Sequence, residues 1–254
     1  MDGNKLPTTS CHQSRLQIFQ PTKKPHFKER NVLVTWGHAR IIGSLGQVHA
    51  TTLEAIFFNC EKFNKLSEGR VELIVDPYKI RRTLGGGKQY SYTTLNKMIN
   101  DLMSALIELK VKKPAFSIIK THIIEKVTFS QLQKPNPLAR LIKARGSTKY
   151  RFMWSITISS EFMNLLRSDL LLYYDPMPIC KLRTGVGQAV ARFLLTHSKK
   201  NQLNNGWNID TLLLAVGVED HSLRDRRKDI KLDALLLKEL GILVDGEKIT
   251  LTKI

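Results

Sequence analysis

Histidine, cysteine, serine and the carboxylates are the side chains most able to do covalent or metal chemistry, and here they are scattered. The seven histidines stand at positions 12, 26, 38, 49, 122, 197 and 221. They make no His-x-His pair, which a metal-dependent strand-nicking enzyme would need beside its tyrosine, and no His-Glu-x-x-His zinc motif. Cys11, Cys60 and Cys180 form no Cys-x-x-Cys pair and no ligand cluster. Cys60, inside the apolar stretch IFFNC, reads as a core residue. The run GGGK is followed by Gln89, and Arg82 occupies the place of a phosphate-binding loop's first glycine. Those glycines therefore read as a turn that ends a helix. No Gly-x-Ser-x-Gly elbow occurs. Trp36, Trp154 and Trp207 read as core anchors. These residues predict no catalytic site, no metal and no cofactor, and a protein that is not an enzyme.

The basic residues are the richer signal. Forty Lys and Arg against 22 Asp and Glu give a formal net charge of +18. An excess of this size attracts phosphate backbones. Its densest patch is SLRDRRKDIKL. At about 100° per residue, Arg224, Lys228 and Lys231 share a face turned away from Leu223, Ile230, Ala234 and Leu237, with Arg226 and Arg227 at the margins. The arginine fork suits both phosphates and the O6/N7 edge of guanine. The competing reading is a solvated face with Asp225 and Asp229 as internal partners. Arg81 and Arg82 offer phosphate contacts in the first half. Thr93, Asn96, Lys97 and Asn100 form a polar face that suits base edges and phosphates, or plain solvent. A third group, Arg140, Lys143, Arg145 and Lys149, surrounds Gly146 and predicts a backbone-contacting loop.

The elements that must position these groups are legible as periodicities. Residues 1–30 are polar, basic and broken by Pro7, Pro21 and Pro25, which predicts a flexible basic arm. NVLVTWGHARIIG reads as a strand, with Val32, Val34 and Trp36 alternating. Thr51 and Glu54 have capping-box spacing ahead of a helical face of Leu53, Ile56, Phe57 and Cys60. RVELIVDP reads as a strand, and Asp76-Pro77 opens a short helix, PYKIRRTL. SYTTLNKMINDLMSALIELK reads as one amphipathic helix striped by Tyr92, Leu95, Met98, Ile99, Leu102 and Leu106. AFSIIKTHIIEKVTFSQ and YRFMWSITISS read as strands flanking the basic loop. EFMNLLR is a short helix. DLLLYYDPMP, with Pro176 and Pro178, marks a domain boundary. Beyond it, VGQAVARFLLTHS and NIDTLLLAVG read as helices, and SLRDRRKDIKLDALLLKELG as a third that ends at Gly241. ILVDGEKITLTKI reads as a hairpin around Asp245-Gly246.

Both halves thus run helix, short helix, turn, longer amphipathic helix and β-hairpin. That is the plan of a helix-turn-helix with a wing. The fold predicted is α+β, with two tandem winged-helix domains at 31–167 and 168–254 after the arm at 1–30. The function predicted is reading of duplex DNA. No apolar run approaches the ~18 residues that cross a bilayer, and no secretory leader is visible. The unpaired cysteines fit a reducing cytoplasm.

The segments LIVDPYKIRRTLGGGKQYSYTTLNKMINDLMSALIELK, VGQAVARFLLTHSKKNQLNNGWNIDTLLLAVGV and LRDRRKDIKLDALLLKELGI together resemble the two winged helices of TrfA-type plasmid replication initiators. The resemblance spans most of residues 31–254. It implies binding to direct repeats (iterons) at a plasmid origin in the bacterial cytoplasm. It further implies opening of adjacent AT-rich DNA, recruitment of a host helicase and no nuclease or ATPase activity. It also implies a first domain that serves dimerisation. The reading helices carry over by position as Thr93–Asn100 and Arg224–Lys231. The N-terminal region offers no feature of that family to match. A winged-helix transcriptional repressor is the runner-up, and a non-catalytic interaction scaffold the third reading.

Overall fold

The computed structural model describes residues 6–15, 17–34, 37–86, 90–111, 117–129, 142–143, 150–167, 170–197 and 206–252. The N-terminal stretch is docked, contrary to the arm expected. Thr9–Ser10 forms strand β1 and Cys11–Arg15 helix α1, and Ile18, Phe19 and Gln20 are buried. Proline and charge density suggest disorder only when a chain has no apolar surface to bury, and Ile18-Phe19 supplies enough to seat this one. Lys28–Val34 (β2) and Gly37–Gly43 (β3) then pair antiparallel, Val34 with Gly37. NVLVTWGHARIIG is therefore a reversal and not one strand.

Helix α2, Gln47–Phe58, begins a turn earlier than the Thr51/Glu54 spacing suggested. At its start His49 Nδ1 accepts the Gly46 N–H at 3.0 Å. Thr51 and Glu54 lie mid-helix, both buried. Cys60 is not on the helix but opens strand β4, Cys60–Lys65, an element whose charged sequence carries little apolar alternation. Val71–Val75 (β5) follows, then Pro77–Leu84 (α3), capped by the Asp76 carboxylate, which accepts the Tyr78 N–H at 2.9 Å. Helix α4 spans Tyr92–Ser104 and buries Leu95, Met98, Ile99 and Leu102. The continuation ALIELK is strand β6, Leu106–Val111, pairing with β3 on one side and with Ser117–Thr121 (β7) on the other. Ile107 and Leu109 are buried here at a period of two, and that alternation overrides the helical stripe ending at Leu106.

Ile124–Thr128 (β8) leads to a two-residue ladder of Ile142–Lys143 (β9) and Tyr150–Arg151 (β10). Trp154–Ile158 (β11) sits between β5 and β8, with Trp154 opposite Val75, Ile156 opposite Leu73 and Ile158 opposite Val71. Two four-stranded antiparallel sheets result, ordered β2-β3-β6-β7 and β4-β5-β11-β8. Helix α5, Ser160–Arg167, and strand β12, Leu171–Leu172, return the chain to β1.

The second half starts with Met177–Lys181 (α6) and Gly185–Leu195 (α7), then Trp207–Asn208 (β13) and Ile209–Ala215 (α8), capped by Asn208. The long helix expected over 222–240 is broken at Asp233 into α9, Leu223–Leu232, and α10, Ala234–Glu239. Ile242–Asp245 (β14) and Lys248–Leu251 (β15) form the hairpin, with Asp245 opposite Lys248. Gly246 takes φ +56° at the first of its two loop positions, the left-handed backbone that such tight turns require.

Two apolar cores form. One gathers residues from Ile18 to Leu166, with α2 against α3, α4 and β5. The other gathers Ile179 to Leu251 around α7, α8 and the hairpin. They meet at a buried polar junction. The Arg192 guanidinium of α7 donates to both carboxylate oxygens of Glu54 of α2 at 2.7 Å, and to Gln47 and Thr51. The Tyr174 hydroxyl donates to Glu54 at 2.7 Å.

Candidate nucleic-acid interface

The residues singled out by sequence fall into three groups along the chain. On α4, Thr93, Lys97 and Asn100 are exposed on one stripe opposite Leu95, Ile99 and Leu102, and Asn96 is half-buried. The buried Oδ1 of Asn96 accepts no hydrogen bond from the described residues. Arg82, on α3, is exposed. Arg81 is not available as expected. Its guanidinium stacks on the Tyr92 ring, 3.8 Å from the centroid, and its Nε donates to the Tyr90 carbonyl. Cation–π stacking and a backbone bond make Arg81 a brace between α3 and α4. Sequence gave its charge but not the aromatic ring that would claim it.

Of the loop around Gly146, Arg140, Arg145 and Lys149 lie outside the described residues. Lys143 lies on β9, paired in register with Tyr150.

Helix α9 carries the third group. Its buried side rests on Ile230. Arg224, Lys228 and Lys231 are exposed on the opposite side. Of these, Lys228 pairs with Asp225 at 3.0 Å across one helical turn. Arg224 and Lys231 have no carboxylate partner among the described residues. Two arginines of the expected set are neutralised locally. Arg226 donates to Asp229 at 2.8 Å, and Arg227 makes a two-pronged pair with Asp210 at the start of α8. That fork holds the Asp210 carboxyl below the usual carboxylate range and ties α9 to α8. Both partners are only half-buried, so the pair's worth to stability is small.

The break at Asp233 has its own cause. The buried Asp233 carboxylate accepts the N–H groups of Arg183 (2.7 Å) and Thr184 (3.0 Å) and the Thr184 hydroxyl (2.6 Å) at the start of α7. The chain turns at this residue so that its side chain can reach α7. Gly187 is required there, because a Cβ would stand 2.3 Å from Asp233 Oδ2.

Among the described residues no group of three or more His, Cys, Asp or Glu is placed to hold a metal ion. Nor is any helix among them long and apolar enough to cross a membrane.

No protein-family model matches this chain, and no curated protein matches its sequence. Its fold is similar to the crystal structure of selenomethionine derivatives of domains 2 and 3 of RctB. The TM-score is 0.61 at 12% sequence identity, over 94% of this chain and 95% of that one. At this identity the likeness is one of fold: a mixed α/β arrangement of small sheets and helices.

Proposed function

We propose that the protein is a non-catalytic DNA-binding protein that acts in replication initiation, engaging duplex DNA through α9 and α4. The observation that carries the reading is the exposed face of α9. Arg224 and Lys231 stand there without carboxylate partners among the described residues, on a helix tied to α8 and followed by α10 and the β14–β15 hairpin. Pairing was available on this helix, since Arg226, Arg227 and Lys228 all use it. Two exposed cations kept unpaired in a chain of net charge +18 suit a polyanionic partner. The likeness of fold to RctB, a replication initiator, supports an initiator in the broad sense.

The finer points are part of the same proposal. The pairs α3–α4 and α8–α9 are taken as the helix-turn-helix units of two winged helices, with β14–β15 as the second wing. A TrfA-type initiator would read directly repeated sites at a plasmid origin and hand opened DNA to a host helicase. Dimerisation through the first half belongs to that reading too. A repressor would use the same contacts, and the two readings separate on the DNA. Footprinting on DNA flanking the protein's own gene tests the proposal. Evenly spaced protected repeats are expected for an initiator, and one isolated protected operator for a repressor. No protection at any salt concentration would leave an interaction scaffold as the better reading.

A further inference from the structure

A cleft of about 410 Å³ lies between the docked N-terminal strap and the turn that joins α8 to α9. Four cations line it: Lys24, Lys28 and Arg30 from the strap side, and Arg226 from α9. Its one carboxylate is Glu219. Lys28 is held by Glu219 at 2.7 Å, and Arg226 by Asp229. Lys24 has no carboxylate partner among the described residues. Arg30 is unusual. Its guanidinium donates to the carbonyl oxygens of Gln17 and Ile18, and its buried Nε has no partner among the described residues. Carbonyls satisfy N–H groups but do not cancel charge, so Arg30 stays an uncompensated cation. Burial pushes its pKa down to about 10.

The strap is built before any ligand arrives. Gln20 bridges to Gly46, the Thr22 carbonyl accepts the Gln47 N–H at 2.9 Å, and Lys23 donates to the Leu182 carbonyl at 2.5 Å. Gly185 of α7 lies so close that a Cβ there would stand 2.4 Å from Thr22 backbone atoms. A cationic groove ordered in advance loses little conformational entropy on binding.

We propose that this cleft receives the phosphodiester backbone of the duplex that α9 engages. The inference rests on the DNA-binding reading above and adds a second contact track to it. At about 100° per residue, Arg226 lies roughly opposite Arg224 and Lys231 around the α9 axis. A helix in a major groove ~12 Å wide has a phosphate chain on either side. The Arg224–Lys231 face turns to the base edges at the groove floor, and the cleft beside Arg226, on the other side of the helix, meets the phosphate chain along one rim. Glu219 neutralises Lys28 in the parent chain, so Lys28 adds a phosphate contact only when that carboxylate is removed.

Two substitutions with opposite signs test this on the full chain, by fluorescence anisotropy with a random-sequence duplex over a salt series. Lys24→Gln removes one phosphate contact and makes the log–log salt slope shallower by about 0.9. Glu219→Gln frees Lys28 and makes the slope steeper by about 0.9. Glu68→Gln makes the same charge change at an exposed site not among those lining the cleft, and leaves the slope as in the parent. The three residues are exposed, so melting temperatures stay unchanged and confirm folding. If Glu219→Gln behaves as Glu68→Gln does, or if Lys24→Gln keeps the parental slope, the cleft does not take phosphate and the proposal is overturned while duplex binding stands. A parent chain that shows no duplex binding at any salt overturns both.

Discussion

His49 is a neutral imidazole held in one tautomer. Its Nδ1 accepts the Gly46 N–H, so the ring proton sits on Nε2 and donates to Asp101 Oδ2 at 3.0 Å. Protonating Nδ1 would set two N–H groups against each other at the first turn of α2. Burial holds its pKa below the ordinary histidine value, against the pull of Asp101. The sign follows by linkage. Below about pH 6.5 the unfolded chain takes up this proton before the folded one does. The stabilisation is complete above that pH and is lost as pH falls through the lowered value. Denaturation midpoints of the parent should therefore fall between pH 7 and pH 5 more steeply than those of His49→Gln. The difference is capped at about 1.4 kcal/mol per pH unit. Equal pH dependence in the two proteins would mean that His49 titrates as freely folded as unfolded. None of this was legible in the sequence, where His49 lacks a motif and its partner is 52 positions away. Arg81 makes the same point for charge. Counting cations finds it, but the Tyr92 ring that occupies it comes into reach only when α3 and α4 are set at an angle.

At the scale of elements, strong local rules were readable and long-range ones were not. Asp76-Pro77 as the start of α3, the apolar stripe of α4 and the Asp245-Gly246 turn each depend on neighbours within a few residues. The Thr51/Glu54 spacing misled because Glu54 serves Arg192, 138 residues on, and not the helix end. The uninterrupted helix over 222–240 failed for the same kind of reason. LRDRRKDIKLDALLLKEL has good helical propensity throughout, and the turn at Asp233 lets its carboxylate accept the N–H groups of Arg183 and Thr184 just ahead of α7. Asp233→Ala removes that acceptor and leaves buried donors without partners. It should cost on the order of 2–4 kcal/mol in urea denaturation. Asp233→Asn, which keeps one acceptor oxygen, should cost less. If alanine and asparagine are equally mild, α9 and α10 break for another reason. Because α9 is set against α7 through this residue, Asp233→Ala should also weaken duplex binding without touching a cation.

The molecule as a whole has two cores, and the Glu54–Arg192 junction joins them with a charge pair that is almost fully buried. The Tyr174 phenol donates to the same carboxylate, and burial raises its pKa well above the ordinary value. Arg192→Leu leaves the Glu54 charge buried and unpaired, at a cost of about 3–5 kcal/mol. The pair Glu54→Leu with Arg192→Leu should recover much of that loss, since two apolar residues leave no stranded charge. A double variant as unstable as the single one would show that the junction is held by packing and not by the ion pair. A junction of this kind sets α4 and α9 in a fixed relation, which is what two reading helices on one duplex need. The strap from Thr8 to Arg30 adds to it, touching the first core's side through Leu45 and Gln47 and the second's through Tyr174, Leu182 and Glu219. The central claim is that α9 reads duplex DNA, and Arg224→Lys tests it most directly. The substitution keeps the charge and removes the fork, on an exposed position that leaves the fold alone. Binding is measured on duplex sites selected by the parent chain from a random pool and on unselected duplex, with melting temperature as the control. The account predicts that affinity for selected sites falls by ~1–3 kcal/mol, the worth of one bidentate base contact, while affinity for random duplex stays near the parental value. Equal affinities of parent and variant on both kinds of DNA would contradict it and leave Arg224 an ordinary surface charge.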